Sequence, residues 1–105
     1  MQTVAVEITK LVDSSFPGWV EFVLRDANGT VWTFVEKVPV VTEDNLSAES
    51  VYPRQAWLAC EVLSNAGGSL PAHLVRIDTS RPWGIEAVDG TTVFTVRREQ
   101  VDGAA

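Results

Sequence analysis

Hydrophobic and polar residues alternate along most of this sequence, and this two-residue rhythm constrains the fold more than any other feature. Near the amino terminus, Val4, Val6 and Ile8 are each separated by one residue, with Glu7 between the last two. A strand sends successive side chains to opposite faces, whereas an amphipathic helix repeats its apolar residues every three or four positions. The pattern therefore predicts a β-strand with one buried face.

The same rhythm recurs between turn signals along the chain. The predicted strands are Val4–Lys10, Trp19–Arg25, Thr30–Lys37, Ala56–Leu63, His73–Thr79, Ile85–Val88 and Thr91–Arg97. Asn28-Gly29 and Asp89-Gly90 favour tight hairpin turns, because these residues tolerate the backbone angles that such turns need. No helical pattern of ten residues interrupts the series. We therefore expect an all-β fold, a single small antiparallel barrel or sandwich of six to seven strands with hairpin connections.

Three connections need a separate interpretation. Pro39 predicts that the third strand ends there or lies on an edge, since proline cannot donate to a ladder. The polar segment Thr42–Arg54 is the longest connection, and Thr42 or Asn45 could cap one short helical turn within it. Residues 64–69 are rich in glycine and serine and predict a flexible loop. We expect one domain over residues 1–101 and a frayed tail over 102–105.

Length and charge limit the possible partners. With 105 residues the chain suits one domain, and its formal net charge is −6. Repulsion from phosphates disfavours nucleic acid and anionic membranes and favours a basic protein. No apolar run is long enough to span a bilayer. The single cysteine, Cys60, excludes an internal disulfide and fits a reducing cytoplasm, which is the expected location.

Catalytic and metal-binding signatures are absent from the sequence. With one histidine, His73, and one cysteine, Cys60, no zinc pattern can be assembled, and no glycine-rich loop opens a helix. The alternation places Cys60 on the inward face of its strand, where a thiol behaves as a small hydrophobe. We therefore predict no cofactor and no metal, and assign no catalytic residue.

Aromatic and charged residues provide the candidate binding sites. The four tryptophans are a heavy load for a small domain, and the alternation turns Trp19 and Trp57 away from the apolar face. Tryptophan is enriched in interfaces, although packing in the fold is the more usual role of such residues. The polar segment Thr42–Arg54 and the turn around Arg81 supply the other candidate residues. The candidate binding residues are Trp19, Glu43, Asp44, Glu49, Tyr52, Arg54, Arg81 and Trp83.

Several segments together resemble a family of short uncharacterised bacterial β proteins. These segments are Phe16–Glu21, Leu24–Gly29, Trp32–Val40 and Arg76–Glu86, and they cover much of the chain. The family has no settled activity, so the resemblance implies a bacterial cytoplasmic setting and no catalytic role.

Three functional hypotheses follow from these observations. The first is a non-enzymatic protein-interaction domain with an acidic, aromatic-containing face, for example an immunity protein that neutralises a basic toxin. The second is a small-molecule-binding protein or enzyme whose barrel mouth is lined by Glu36, Tyr52, Arg81 and Trp83. The third is a self-associating module, a homodimer formed through exposed strand edges.

Overall fold

Seven β-strands make up almost all of the regular structure in the computed structural model, which describes residues 2–63 and 70–102. They are β1 (Gln2–Asp13), β2 (Trp19–Arg25), β3 (Val31–Lys37), β4 (Arg54–Val62), β5 (Leu74–Asp78), β6 (Val93–Arg97) and β7 (Val101–Asp102). Single 3-10 turns follow β3 at Val38–Val40 and β6 at Arg98–Gln100. The predicted all-β class is confirmed.

The long strand β1 organises the sheet. The strand order is β3-β2-β1-β4-β5-β6, and β7 also pairs with β1. The first half of β1 pairs with β4, and its second half pairs with β2 on the opposite edge. Register shifts interrupt the β1–β2 ladder after Ile8 and after Leu11, and such bulges increase local twist. The antiparallel sheet curls into a half-barrel. This architecture agrees with the small all-β barrel or sandwich that the sequence predicts.

The concave face of the half-barrel is filled with apolar side chains. Phe22 and Phe34 stack with their ring centres 5.0 Å apart, and Phe94 lies 5.8 Å from Phe34. Trp32 meets the edge of Phe94 at 5.3 Å. The other completely buried apolar side chains belong to Val4, Ile8, Val20, Leu24, Leu58, Ile77 and Val96. All of these residues lie at alternate strand positions, as the two-residue rhythm predicts.

The predicted strand Ile85–Val88 is wrong, although its alternation is real. Ile85 and Ala87 are buried, yet this segment has no regular strand pairing. Its backbone instead bonds to irregular partners: Thr79 Oγ1 donates to Ile85 O at 2.8 Å, and Val88 N donates to Thr33 O of β3 at 2.9 Å. The segment lies across the opening of the half-barrel. Its side chains alternate because every second one is buried against the core, although the segment is not a strand of the sheet.

Backbone hydrogen bonds also connect the two ends of the strand order. Val88 N reaches β3, and Ala27 N, in the turn after β2, donates to Thr95 O of β6 at 2.9 Å. Thr79 is completely buried and joins β5 to the next segment through both its hydroxyl and its backbone. These links bring the two outer strands towards each other without a continuous ladder between them.

Other connections differ from expectation in detail. The segment 42–53 is irregular, so the helical turn predicted there is wrong; the single 3-10 turn precedes it, at Val38–Val40. Asp102 pairs with Thr3 and is therefore part of the sheet rather than of a frayed tail.

The predicted glycine-serine loop, 64–69, and the last residues, 103–105, lie outside the described residues. Residues 2–63 and 70–102 form no helix of the length and apolarity that crossing a membrane requires.

The hairpin of β2 and β3, predicted from Asn28-Gly29, is confirmed and is organised by Asp26. Asp26 Oδ1 accepts the backbone N–H groups of Asn28 at 2.9 Å and Thr30 at 3.0 Å. Its Oδ2 accepts the indole N–H of Trp32 at 2.9 Å. Gly29 adopts a φ of 83°, which a side chain would disfavour. The carboxylate therefore joins the turn to an aromatic side chain that packs on the core.

Asp26→Ala is expected to lower the free energy of unfolding by about 2 kcal/mol, because three donors lose a charged acceptor and one of them is the half-buried indole. Urea denaturation followed by tryptophan fluorescence measures this loss. Asp89→Ala is the matched control, since Asp89 accepts the Thr91 N–H in an exposed turn of similar sequence. Equal losses in the two variants would contradict this role for Asp26.

Candidate protein-binding surface

Phe16 is the most exposed large hydrophobic residue that the structure describes, with 98% of its surface accessible. It lies in the turn between β1 and β2. Asp13 Oδ1 accepts the Ser15 N–H at 2.8 Å, and Ser15 O accepts the Gly18 N–H at 2.6 Å, which closes the turn. Hydrogen bonds therefore hold the backbone around Phe16 while its ring projects into solvent.

Gly18 anchors this turn against the body of the protein. Its carbonyl accepts the Val38 N–H at 2.9 Å, and its φ is 88°. A Cβ at this position would lie 3.1 Å from Val38 Cγ2, so the close approach requires glycine. The turn is thus tied to the 3-10 turn after β3, and this contact fixes where Phe16 emerges.

A groove of about 390 Å³ separates the Phe16 turn from the loop that follows β3. Its apolar lining includes Phe16, Pro17, Pro39 and Leu46. Glu43 and Asp44 of the loop line it as well. The surface therefore combines an exposed ring, two prolines and carboxylates, and we call it the Phe16 groove.

Local hydrogen bonds order the loop that forms the far wall of the groove. Thr42 Oγ1 accepts the Asp44 N–H at 3.1 Å, and Arg54 pairs with Asp44 at 2.7 Å. Tyr52 donates its hydroxyl proton to Ser47 O at 2.8 Å while its ring packs against the core. The loop is irregular, but these contacts give the carboxylate of Asp44 a defined position.

Electrostatics at the groove are dominated by negative charge. Asp44 is partly neutralised by Arg54, whereas Glu43 is exposed and has no ion-pair partner among the described residues. The hydrogen bond from the Ser15 backbone N–H lowers the pKa of Asp13 below its ordinary value, so this carboxylate stays ionised in mild acid. A cationic surface would meet complementary charge here.

The structure brings together some of the predicted binding residues and separates others. Glu43 and Asp44 line the groove, and Arg54 and Tyr52 brace the same loop. Trp19 is half-buried beneath the ammonium group of Lys37, which lies 5.8 Å from the ring centre. Glu49 lies on the exposed part of the loop, where its N–H donates to Ser47 Oγ.

Arg81 and Trp83 belong to the turn after β5 and line no part of the groove. Arg81 lies 3.7 Å from Glu61 of β4 in an exposed ion pair, and Trp83 is 52% exposed. Trp57 is also exposed, on the convex face of β4, as the alternation predicts. These aromatic side chains remain separate surface features.

Sequence reasoning missed Phe16, Pro39 and Leu46 as members of a surface. The composition of Asp13 to Gly18 predicts a turn, and a turn prediction does not say whether the ring of Phe16 is buried or exposed. A phenylalanine flanked by turn-forming polar residues cannot join a strand face, and this was the available signal. The proximity of Pro39 and Leu46 to it depends on the path of the chain after β3, which residue types do not encode.

The single cysteine and the single histidine of the sequence lie in different surroundings. Cys60 is 3% exposed, and burial raises the pKa of its thiol to about 11. Among residues 2–63 and 70–102, no three His, Cys, Asp or Glu side chains are grouped closely enough to hold a metal ion. His73 lies exposed just before β5.

The barrel-mouth and strand-edge hypotheses stay predictions. Side chains such as Phe22 and Phe34 fill the concave face, where a small molecule would have to enter. Glu36 is half-buried, and its burial raises the pKa of its carboxyl, helped by nearby Glu86. At the sheet edges, Thr33 O and Thr95 O are already bonded to other segments of the chain.

Comparison with known proteins adds no assignment: no family model, curated protein or solved structure matches the chain. The resemblance to bacterial β proteins therefore stays a prediction.

Cys60 is expected to resist alkylation in the folded protein. With a pKa of about 11 instead of 9.0, its thiolate fraction at pH 8 falls about 100-fold, and burial restricts access further. Mass spectrometry after iodoacetamide treatment, with and without urea, measures the difference. Equally rapid labelling under both conditions would show that the thiol is accessible and reactive in the folded protein, and would contradict its burial.

Proposed function

We propose that this protein is a non-enzymatic binding domain that recognises another protein through the Phe16 groove. The observation that carries the proposal is the almost complete exposure of Phe16 on a turn that the backbone holds in place. Water contact with a large aromatic ring is unfavourable, so such a ring at the rim of an ordered groove is typical of an interface anchor.

Burial of Phe16 by a partner supplies part of the required binding energy. Removing a phenylalanine side chain from water contributes roughly 1.5–3 kcal/mol, about the scale of an interface hot spot. The neighbouring Pro17 and Pro39 offer further apolar surface whose backbone loses little freedom on binding. The ring and the prolines together supply the apolar component of the affinity.

Charge supports a basic partner. Within the described part of the chain, Glu43 and Asp13 have no ion-pair partner, and residues 1–52 of the sequence contain eight acidic and three basic residues. Complementary charge accelerates encounter and suppresses wrong partners. One concrete form of the proposal is an immunity protein in the bacterial cytoplasm that binds a basic toxin. The same negative field disfavours nucleic acid and anionic membranes as ligands.

Phe16→Ser is expected to weaken binding at least about 10-fold, the equivalent of 1.4 kcal/mol. Proteins captured from the native cytoplasm by the wild type are identified by mass spectrometry, purified, and titrated by calorimetry against wild type and variant. Val51→Ser is the matched control, because Val51 is 80% exposed but does not line the groove.

A charge variant separates the two components of recognition. Glu43→Lys is expected to slow association with a basic partner and to reduce its dependence on salt, because the field that steers the partner weakens. Surface plasmon resonance at two salt concentrations measures both effects. A partner that binds Phe16→Ser and Glu43→Lys as tightly as the wild type would rule out the groove as the binding site.

A further inference from the structure

The two ends of the half-barrel carry opposite unpaired charges. Strand β1 runs from Gln2 at one end to Asp13 at the other, and its 12 residues span about 40 Å, close to the 45 Å long dimension of the chain. The Phe16 groove lies at the Asp13 end. The strand registers place the end of β2, the start of β5 and the end of β6 at the Gln2 end.

Arginines concentrate at the Gln2 end, which we call the arginine end. It contains Arg25, Arg76, Arg97 and Arg98, half of the eight basic residues in the sequence. Arg25 and Arg97 line one groove of about 310 Å³, and Arg97 and Arg98 line the next, of about 450 Å³. Arg76 and Arg98 line a third groove, so the four arginines border a series of grooves that share lining residues, and we call them the arginine strip.

Most of this positive charge is unneutralised. Arg97 pairs with Glu99 at 2.9 Å, and Arg98 Nε donates to the Ala72 carbonyl. Within the described part of the chain, Arg25, Arg76 and Arg98 have no carboxylate at ion-pair distance. Glu7 also lines the groove of Arg25, and Asp102 lies in nearby β7, so this end carries charges of both signs. Among its four arginines, only Arg97 forms an ion pair within the described residues.

Backbone contacts hold the arginine strip in position. Arg98 N donates to His73 O at 2.8 Å, and the Gln100 side chain donates to Arg25 O at 2.8 Å. These bonds join the turn after β6 to the end of β2 and to the residue that precedes β5. An arginine fork on a positioned backbone can bond a carboxylate through two parallel N–H groups.

We propose that the arginine end of one copy docks into the Phe16 groove of a second copy, so that molecules associate head to tail. This inference rests on the groove being a protein-binding site, as proposed above, and names a second copy of the chain as the partner, which presents the arginine end as its positively charged surface. In the contact, Arg25 and Arg98 face Glu43 and Asp13 of the next molecule, and the aliphatic stems of the arginines cover the ring of Phe16.

Separation of the two ends allows attraction in a protein of net negative charge. At 0.1 M ionic strength the Debye length is about 10 Å, far less than the length of the molecule, so each end acts locally. The contact joins two different surfaces, so every added copy leaves one groove and one arginine end open. Association therefore grows with protein concentration and weakens with salt.

A complementation experiment tests the geometry. The double variant Arg25→Glu/Arg98→Glu loses positive charge at the arginine end but keeps an intact Phe16 groove. The double variant Phe16→Ser/Glu43→Lys has a disrupted groove but keeps an intact arginine end. Sedimentation is measured at low and high salt, up to about 1 mM protein, where weak contacts are populated. Each variant alone is expected to be monomeric, whereas their mixture forms a one-to-one complex. Arg→Gln replacements at the same positions provide a second pair if the reversals impair folding.

Trp83→Ser is the control, because it removes another exposed aromatic side chain without touching either end; self-association is expected to persist in it. A wild type that stays monomeric at low salt, or a variant mixture that fails to combine, overturns the inference. In that case, binding of a different basic protein that depends on Phe16 would still support the proposed function, and only the self-association would be excluded. Association that survives both double variants would also overturn the head-to-tail contact.

Discussion

Burial of one apolar face by a curled sheet is the constraint on which the rest of this structure depends. The stacked rings of Phe22 and Phe34 lie at its centre, and alternate residues of the surrounding strands complete the core. A sheet of this length can cover its own concave side only in part. Residues 85–88 cover the remainder, held by the buried hydroxyl of Thr79. Closure therefore uses hydrogen bonds to an irregular segment where a full barrel would use another strand.

This closure determines where the surface features lie. Because the chain leaves β3 through the short turn at Val38–Val40, it passes beside the β1–β2 turn, and Gly18 allows the two to touch. The groove is the space left between these segments. At the opposite end, the turn after β6 folds back to pair β7 with β1 and gathers arginines from three elements. The charge asymmetry along the long axis thus results from this topology and from a sequence whose net negative charge lies mostly in its first half.

Much of the fold was predictable, and the limits have physical causes. Period two locates strands well when one face is buried, and the bounds of β2 agree with the prediction residue for residue. The same signal misassigns Ile85–Val88, because alternate burial arises wherever an extended segment lies on a core, with or without a ladder partner. The short pairing of Val101 with Val4 carries no pattern at all, since two residues cannot express a rhythm.

The site was less accessible to sequence reasoning than the fold. Glu43, Asp44 and Arg54 were identified because a long polar loop on a β-scaffold is a common binding element. Phe16 was not, because its importance comes from exposure, which depends on how the turn is anchored. A surface assembled from two turns distant in sequence is defined by tertiary contacts, and only the folded chain reveals that an aromatic ring and the acidic loop share it.

Nuclear magnetic resonance mapping of the isotope-labelled protein, bound to whichever protein it recognises, tests the central claim most directly. Amide shifts on binding are expected to concentrate in residues 14–18 and 42–46, with small changes around the Trp83 turn. Shifts centred on the turn after β5, or on the convex face around Trp57, would contradict the account and place recognition elsewhere on the molecule.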